Sequence, residues 1–380
     1  MTKSLAISGH FRKNQTMGGV ASFYQNLLRG IEAVAAEDPR YRDLNVTVFH
    51  GPHGSPYVSE KFEYRCIDSR LGRFGSDLKF GLFDSSKFDV SFFPNYFRPP
   101  IVRSRRSVTV IHDLFYKNMP ELIGRGKRLW LDATQRYALR RCDAVVTISE
   151  TVKQDVLRCF GSRWQDKIHP IWNPIALERL DGTDVSAIPE GRPYILGVAL
   201  DRPHKNLVTL VRAFAKLRAR RPDLCLVLVG ELRSNRPSGP ASAAASERLP
   251  AAADVVRDEK LEQHVKIAGF VSDRELGALY RGASAFVLPS LFEGFGMPAI
   301  EAMASGAPTL VSDLPVFREV TLGAARYLRE PRDPDAVFDA IDQLLAAGAQ
   351  ARPSQETIAE MRRVFAPATI ARQYLNVLFP

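Results

Sequence analysis

Along this chain, short β-branched runs alternate with longer stretches whose apolar residues recur at helical spacing. Ser4–Gly9, Asn45–Gly51, Phe88–Pro94, Ser107–Asp113 and Asp143–Ser149 read as strands in the first half. Tyr194–Ala199, Leu224–Gly230, Val265–Phe270, Ala285–Ser290 and Pro308–Asp313 read as strands in the second. Strand and amphipathic helix in alternation predict an α/β fold of parallel sheets with helical crossovers. The two sets of strands look like two copies of one architecture.

At 380 residues the chain is long for one core and suited to two domains of about 150–200 residues each, with a cleft between them. Ile168–Ile175 reads as a strand ended by proline, and Asp181–Arg192 is polar and turn-rich, so a linker is expected near residues 172–190. The expected divisions are 1–174, 175–365 and a terminal helix within 366–380. That helix, with Ile370, Tyr374, Leu375 and Leu378 on one side, could pack on either domain, including back on the first. Arg233–Ala253, rich in Ser, Ala, Pro and Arg, is expected as a loop near the cleft mouth.

Composition narrows the class. A chain that is 45% hydrophobic and 25% charged is that of a folded globular protein. No apolar run approaches the roughly 18–20 residues of a membrane-spanning helix, and the first residues lead into a strand, which predicts a cytoplasmic location. Cys66, Cys142, Cys159 and Cys225 are scattered without metal-ligand spacing and are expected as reduced thiols. Residues 1–174 hold 27 Lys and Arg against 17 Asp and Glu, the whole of the net charge of +10; the remainder is balanced at 25 each. The first half therefore either faces something anionic, such as a membrane surface, a lipid diphosphate or nucleic acid, or is a merely soluble basic face.

The strongest local signal is Pro289-Ser-Leu-Phe-Glu-Gly-Phe-Gly-Met-Pro-Ala-Ile-Glu-Ala-Met-Ala-Ser-Gly-Ala-Pro308. A strand ends near Ser290, Gly294 and Gly296 let the backbone approach a ligand, Pro298 suits the first helical position and Gly306 the stop. The N–H groups at such a helix start, over Phe295 to Met297, form a cradle for phosphate. Glu293 and Glu301 would repel that phosphate unless they point at sugar hydroxyls. Upstream, Lys205 heads a helix beneath a glycine-containing turn, where an ammonium can neutralise a diphosphate leaving group.

This segment resembles the E-x7-E motif of the retaining GT-B glycosyltransferases of glycosyltransferase family 4, and the order and spacing of elements are similar over nearly the whole chain. The resemblance implies two Rossmann-like domains facing a cleft. It also implies that the first domain, 1–174, lies on the acceptor side and that the second holds a nucleotide-sugar donor, with Glu293 near the donor sugar, Glu301 on the ribose and Lys205 on the diphosphate. Lys205-Asn206 matches the family pattern; the arginine common four or five residues earlier is replaced near Leu200. Arg202 is the substitute cation, with Arg233 in reserve.

In the first half, Gly18-Gly19 follows the first strand and resembles the family's glycine loop, whose backbone reaches the donor diphosphate. Ile111-His112-Asp113-Leu114 ends a strand at the carboxyl edge where open α/β sheets bind ligands. With Pro120-Glu121 it resembles a family position whose histidine contacts the transferred sugar. Arg125–Arg141 interleaves basic residues with Leu129, Trp130, Leu131 and Tyr137; it either lies on an anionic membrane or covers its own core.

The resemblance implies retaining hexosyl transfer to a lipid-linked or oligosaccharide acceptor, with no metal and no other cofactor, in surface polysaccharide or lipopolysaccharide assembly. Ile-His-Asp-Leu and Pro-His-Lys-Asn-Leu are similar to the mannosyltransferase branch, which favours GDP-mannose or a 6-deoxy relative, with a UDP-hexose as the alternative. A nicotinamide-dependent dehydrogenase would need a GxGxxG after the first strand, where only Gly18-Gly19 stands. A nucleic-acid-binding module would leave the paired glutamates without a purpose.

Overall fold

The computed structural model describes residues 3–9, 19–51, 55, 57–67, 78–81, 85–95, 97–184, 186, 189, 191–232 and 250–380. They form two compact units. The first comprises Met1–Lys117, Ile123–Ala176 and Val364–Pro380, the second Asn118–Leu122 and Leu177–Arg363.

In the first unit, β1 (Ser4–Gly9), β2 (Asn45–His50), β3 (Glu63–Cys66), β4 (Val90–Phe93), β5 (Arg106–Ile111), β6 (Ala144–Thr147) and β7 (Ile168–Pro170) make one parallel sheet in the order β3-β2-β1-β4-β5-β6-β7. Helices of this part of the chain include α1 (Gly19–Glu37), α2 (Phe115–Asn118), α3 (Arg125–Arg141) and α4 (Glu150–Phe160). In the second unit, β8 (Tyr194–Val198), β9 (Cys225–Val229), β10 (Val265–Gly269), β11 (Ala285–Leu288), β12 (Thr309–Ser312) and β13 (Arg326–Leu328) run parallel in the order β10-β9-β8-β11-β12-β13. Its helices are α5 (Leu207–Arg220), α6 (Ala252–Asp258), α7 (Asp273–Gly282), α8 (Met297–Ala304), α9 (Pro315–Val320) and α10 (Pro334–Ala347); α11 (Gln355–Val364) and α12 (Pro367–Leu378) follow. Both sheets carry the doubly wound order 3-2-1-4-5-6, the first extended by a seventh strand, so each reverses direction beside its first strand, between β1 and β4 and between β8 and β11.

The central strands β4, β6, β9, β11 and β12 are buried at every residue, which is why their apolar runs are continuous. The strands that the hydrophobic pattern missed, β3 and β13, lie at sheet edges. They read Glu-Tyr-Arg-Cys and Arg-Tyr-Leu, with polar residues among their exposed and half-buried positions. The motif helix begins at Met297, one residue before the expected Pro298, and it ends at Ala304, two residues before Gly306, which takes φ 84°.

The terminal helix α12 packs in the first unit. Ile370, Ala371, Tyr374, Leu375 and Leu378 are fully buried, each worth about 1.5–3 kcal/mol for the larger apolar side chains. Tyr374 lies 5.9 Å from the Phe23 ring and 5.8 Å from Phe92. Gly30 lets α1 approach closely, since a Cβ there would sit 2.2 Å from the carbonyl oxygen of Pro367. The first unit is thus closed by the end of the chain, and Asn118–Leu122, expected within 1–174, groups with the second unit.

Candidate active site

At the carboxyl edge of the second sheet, the chain leaves β8 and makes a tight 3-10 turn at Pro203–Lys205. Asn206 follows in the left-handed region, φ 57°, a conformation that asparagine tolerates better than most residues. Its side-chain amide donates to the carbonyls of Pro289 and Pro331, and Thr209 Oγ1 donates to its Oδ1 at 2.6 Å. Two other loops are therefore tied to the β8 loop through one residue. The carbonyl of His204 accepts from the Leu291 N–H at 2.7 Å, which joins the β8 loop to the β11 loop. Burial, helped by the neighbouring Lys205, pulls the His204 imidazole down to about 4.

These ties place Lys205 against Glu293. The ammonium lies 2.6 Å from Glu293 Oε1, and Ser290 Oγ donates to the same oxygen at 2.8 Å. Glu293 leaves only 8% of its side chain exposed and Lys205 19%, so solvent screens the pair weakly.

Beyond Glu293, the chain turns into α8 through Gly296, φ 88°, where a Cβ would lie 2.5 Å from Phe317 Cε1. Only glycine fits both demands. The helix starts without a side-chain cap, and Phe295 beside it is buried. An uncapped start of this kind favours an anion.

Glu301, on α8, is 6% exposed. Arg179, from the 3-10 turn Leu177–Leu180, pairs with it and with Asp273, and Tyr280 Oη donates to Glu301 Oε2 at 3.0 Å. Burial pushes the Glu301 carboxyl above its ordinary range; Arg179 is the chief opposing influence. Burial also holds the Tyr280 hydroxyl well above its usual value, so it stays a donor. Gly277 admits this geometry, since a Cβ there would sit 1.9 Å from the carbonyl oxygen of Leu180.

Lys205, Glu293, Gly294, Phe295, Gly296, Met297 and Glu301 thus gather at the carboxyl edge of one unit, where β8 and β11 diverge. Arg202 precedes the 3-10 turn with an exposed side chain. Gly19 opens α1 in the first unit, while Gly18 and Arg233 lie outside the described residues, as does most of Arg233–Ala253. His112 follows β5 in the first unit. The residue is 9% exposed, its ring packs edge-on at 4.9 Å from Phe23, and its Nε2 donates to the Pro94 carbonyl at 2.8 Å. Burial lowers it to about 4. Arg179 and Tyr280 escaped the sequence reading. A tyrosine on the apolar face of α7 looks like core, and nothing near Arg179 marks a partner 122 residues away.

Two family patterns divide nearly the whole chain between them. Residues 18–179 match Glycosyltransferase Family 4 and residues 181–362 match Glycosyl transferases group 1. The chain belongs to glycosyltransferase family 4. Among curated relatives, the O-antigen chain mannosyltransferase RfbU of Salmonella typhimurium is 31% identical over 240 residues, 63% of this chain and 61% of its own length. The O-antigen chain mannosyltransferase B of Escherichia coli is 26% identical over 66% of this chain and 64% of its own. The match therefore spans somewhat under two thirds of either relative. Among solved structures, a sucrose-phosphate synthase from Thermosynechococcus elongatus superposes with a TM-score of 0.73 at 21% identity, covering 99% of this chain and 98% of its own. WaaG, a glycosyltransferase involved in lipopolysaccharide biosynthesis, gives 0.69 at 14% identity, with 99% of each covered. These likenesses show the GT-B fold of this glycosyltransferase family 4 member.

Proposed function

We propose that this glycosyltransferase family 4 chain transfers a hexosyl group, mannose or a 6-deoxy relative, from a GDP-sugar to a lipid-linked or oligosaccharide acceptor in surface polysaccharide or lipopolysaccharide assembly, with retention of anomeric configuration. The observation that carries this reading is the Lys205–Glu293 pair at 2.6 Å beside the uncapped, glycine-opened start of α8. The names of the O-antigen mannosyltransferases among its relatives support the choice of sugar.

The Lys205 ammonium has three N–H donors and directs one at Glu293, which leaves two for a diphosphate. With the backbone N–H groups at the α8 start, it would stabilise the charge that develops as the anomeric carbon–oxygen bond to phosphate breaks. The acceptor oxygen forms its bond on the same face, and its proton passes to the departing phosphate. No side chain need act as a nucleophile, and no metal ion is required to neutralise the leaving group. Glu293 would receive hydroxyls of the sugar and Glu301 those of the ribose; His112, neutral, would serve the sugar as a hydrogen-bonding or carbonyl contact and not as a base.

On the first unit, α3 exposes Leu129 and Trp130, 73% and 48% exposed, among Arg125, Lys127 and Arg128. That surface supports a contact with anionic lipid. Among the described residues no helix is long and apolar enough to cross a membrane.

The test is a transfer screen of GDP- and UDP-sugars in the presence of EDTA, with the product's anomeric configuration read by NMR. An α-mannosyl or α-6-deoxyhexosyl product from the GDP-sugar, formed without added metal, is expected. Transfer from UDP-sugars alone, an inverted product, or an absolute requirement for Mg²⁺ or Mn²⁺ would overturn the reading.

A further inference from the structure

The loops after β8 and β11 contribute to a cavity of about 360 Å³ in the second unit whose wall includes neither Lys205 nor Glu293. Three arginines line it: Arg202 from the β8 loop, Arg212 from α5 and Arg332 from the loop after β13. Several other arginines of this unit are paired with carboxylates, Arg179 with Glu301, Arg221 with Asp342, Arg318 with Asp313 and Arg362 with Asp181. Among the described residues, Arg202, Arg212 and Arg332 form no such pair. The wall holds two carboxylates. Asp201 is 3% exposed and accepts from the Ala252 N–H at 3.2 Å, which leaves Glu121 as the accessible one. Three arginines lining one cavity, with one accessible carboxylate, leave an excess of positive charge beside the edge of the sheet where α/β proteins bind ligands.

Guanidinium forks match phosphate oxygens two at a time, and three of them suit a diphosphate better than a neutral sugar. We propose that Arg202, Arg212 and Arg332 bind a second phosphoryl anion, the diphosphate of a diphosphate-linked acceptor. This rests on the proposed transferase reading, and it assigns Arg202 to the acceptor in place of the donor.

Calorimetry with inorganic pyrophosphate, alone and in saturating GDP, would compare the wild type with the Arg212→Ala/Arg332→Ala double variant. Both residues are exposed, so the fold should survive, which the melting temperature checks. In the wild type, one pyrophosphate should remain bound when GDP is saturating. The double variant should bind that pyrophosphate about tenfold or more weakly, with GDP affinity unchanged. In transfer assays its KM for an oligosaccharide linked to polyprenyl diphosphate should rise by a similar factor. KM for the donor, and for the same oligosaccharide without the diphosphate, should hold. Displacement of all pyrophosphate by GDP would show that the arginines serve the donor, and wild-type pyrophosphate binding by the variant would show that they serve neither; each overturns the proposal. Failure of GDP to bind at all, with pyrophosphate binding still lost in the variant, would uphold the anion site and overturn the GDP-sugar reading instead.

Discussion

The two units share a strand order yet differ at their carboxyl edges. At the end of β5 the first unit presents a buried, neutral imidazole, His112, held by one carbonyl and one aromatic ring. At the ends of β8 and β11 the second presents charge in opposed pairs, Lys205 with Glu293 and Arg179 with Glu301. Since the doubly wound scaffold is common to both, the difference lies in loop residues placed at equivalent edges. A buried carboxylate survives only beside a cation or hydrogen-bond donor, and the second unit supplies one for each. The first handles no charge at His112.

If that contrast is right, charge changes in the second unit should cost activity without stability, while a change at His112 should cost both. Glu293→Gln and Glu301→Gln should each lower turnover about ten- to a hundred-fold, the scale of one charge-assisted hydrogen bond of about 1.5–3 kcal/mol, with the melting temperature nearly unchanged. His112→Ala should lose about 1–3 kcal/mol of stability through the orphaned Pro94 carbonyl and lost ring packing, with GDP affinity intact. Urea denaturation and steady-state kinetics on all three variants would check the contrast. Full activity in either glutamine variant would remove the second unit's claim to the site.

A smaller effect should follow at Arg179, which would act through Glu301. Arg179→Met should lower kcat/KM about tenfold and move the acid limb of its pH profile upward, because burial then favours a protonated Glu301 with less opposition. Arg179→Lys should recover part of the loss. A pH profile that superposes on the wild type would mean that the pair is structural only.

A pH-dependent effect concerns one ring in each unit. His112 and His204 are both held at about 4 by burial, against 6.5 for the free side chain. Between those values the unfolded chain binds protons that the folded chain does not, so stability should fall as pH drops from about 6.5 towards 4. The slope should be up to about 1.4 kcal/mol per pH unit for each ring. Denaturation of His112→Gln at pH 7, 5.5 and 4.5 should show a shallower decline than the wild type. An identical decline would place the His112 ring in water.

Much of this molecule could be read along the chain. Continuous apolar runs marked the central strands because parallel strands are buried on both faces, and Glu293-Gly-Phe-Gly-Met-Pro marked a glycine turn into a helix because local backbone geometry demands those residues. Edge strands β3 and β13 escaped notice because half-exposed strands carry polar residues and lose the pattern. The charge partners were beyond reach for a different reason. Lys205 and Glu293 stand 88 residues apart, Arg179 and Glu301 122, and no local rule links positions so distant. Glu301, expected on the ribose, is also held by Arg179 and Tyr280, partners that no local pattern named. The return of α12 to the first unit was likewise open, since an amphipathic helix specifies which face it buries and not against what. Periodicity and turn chemistry act over a few residues and belong to the sequence; pairing of charges, closure of a core by the chain's end and gathering of arginines round a cavity arise only when the sheets bring remote loops to one edge.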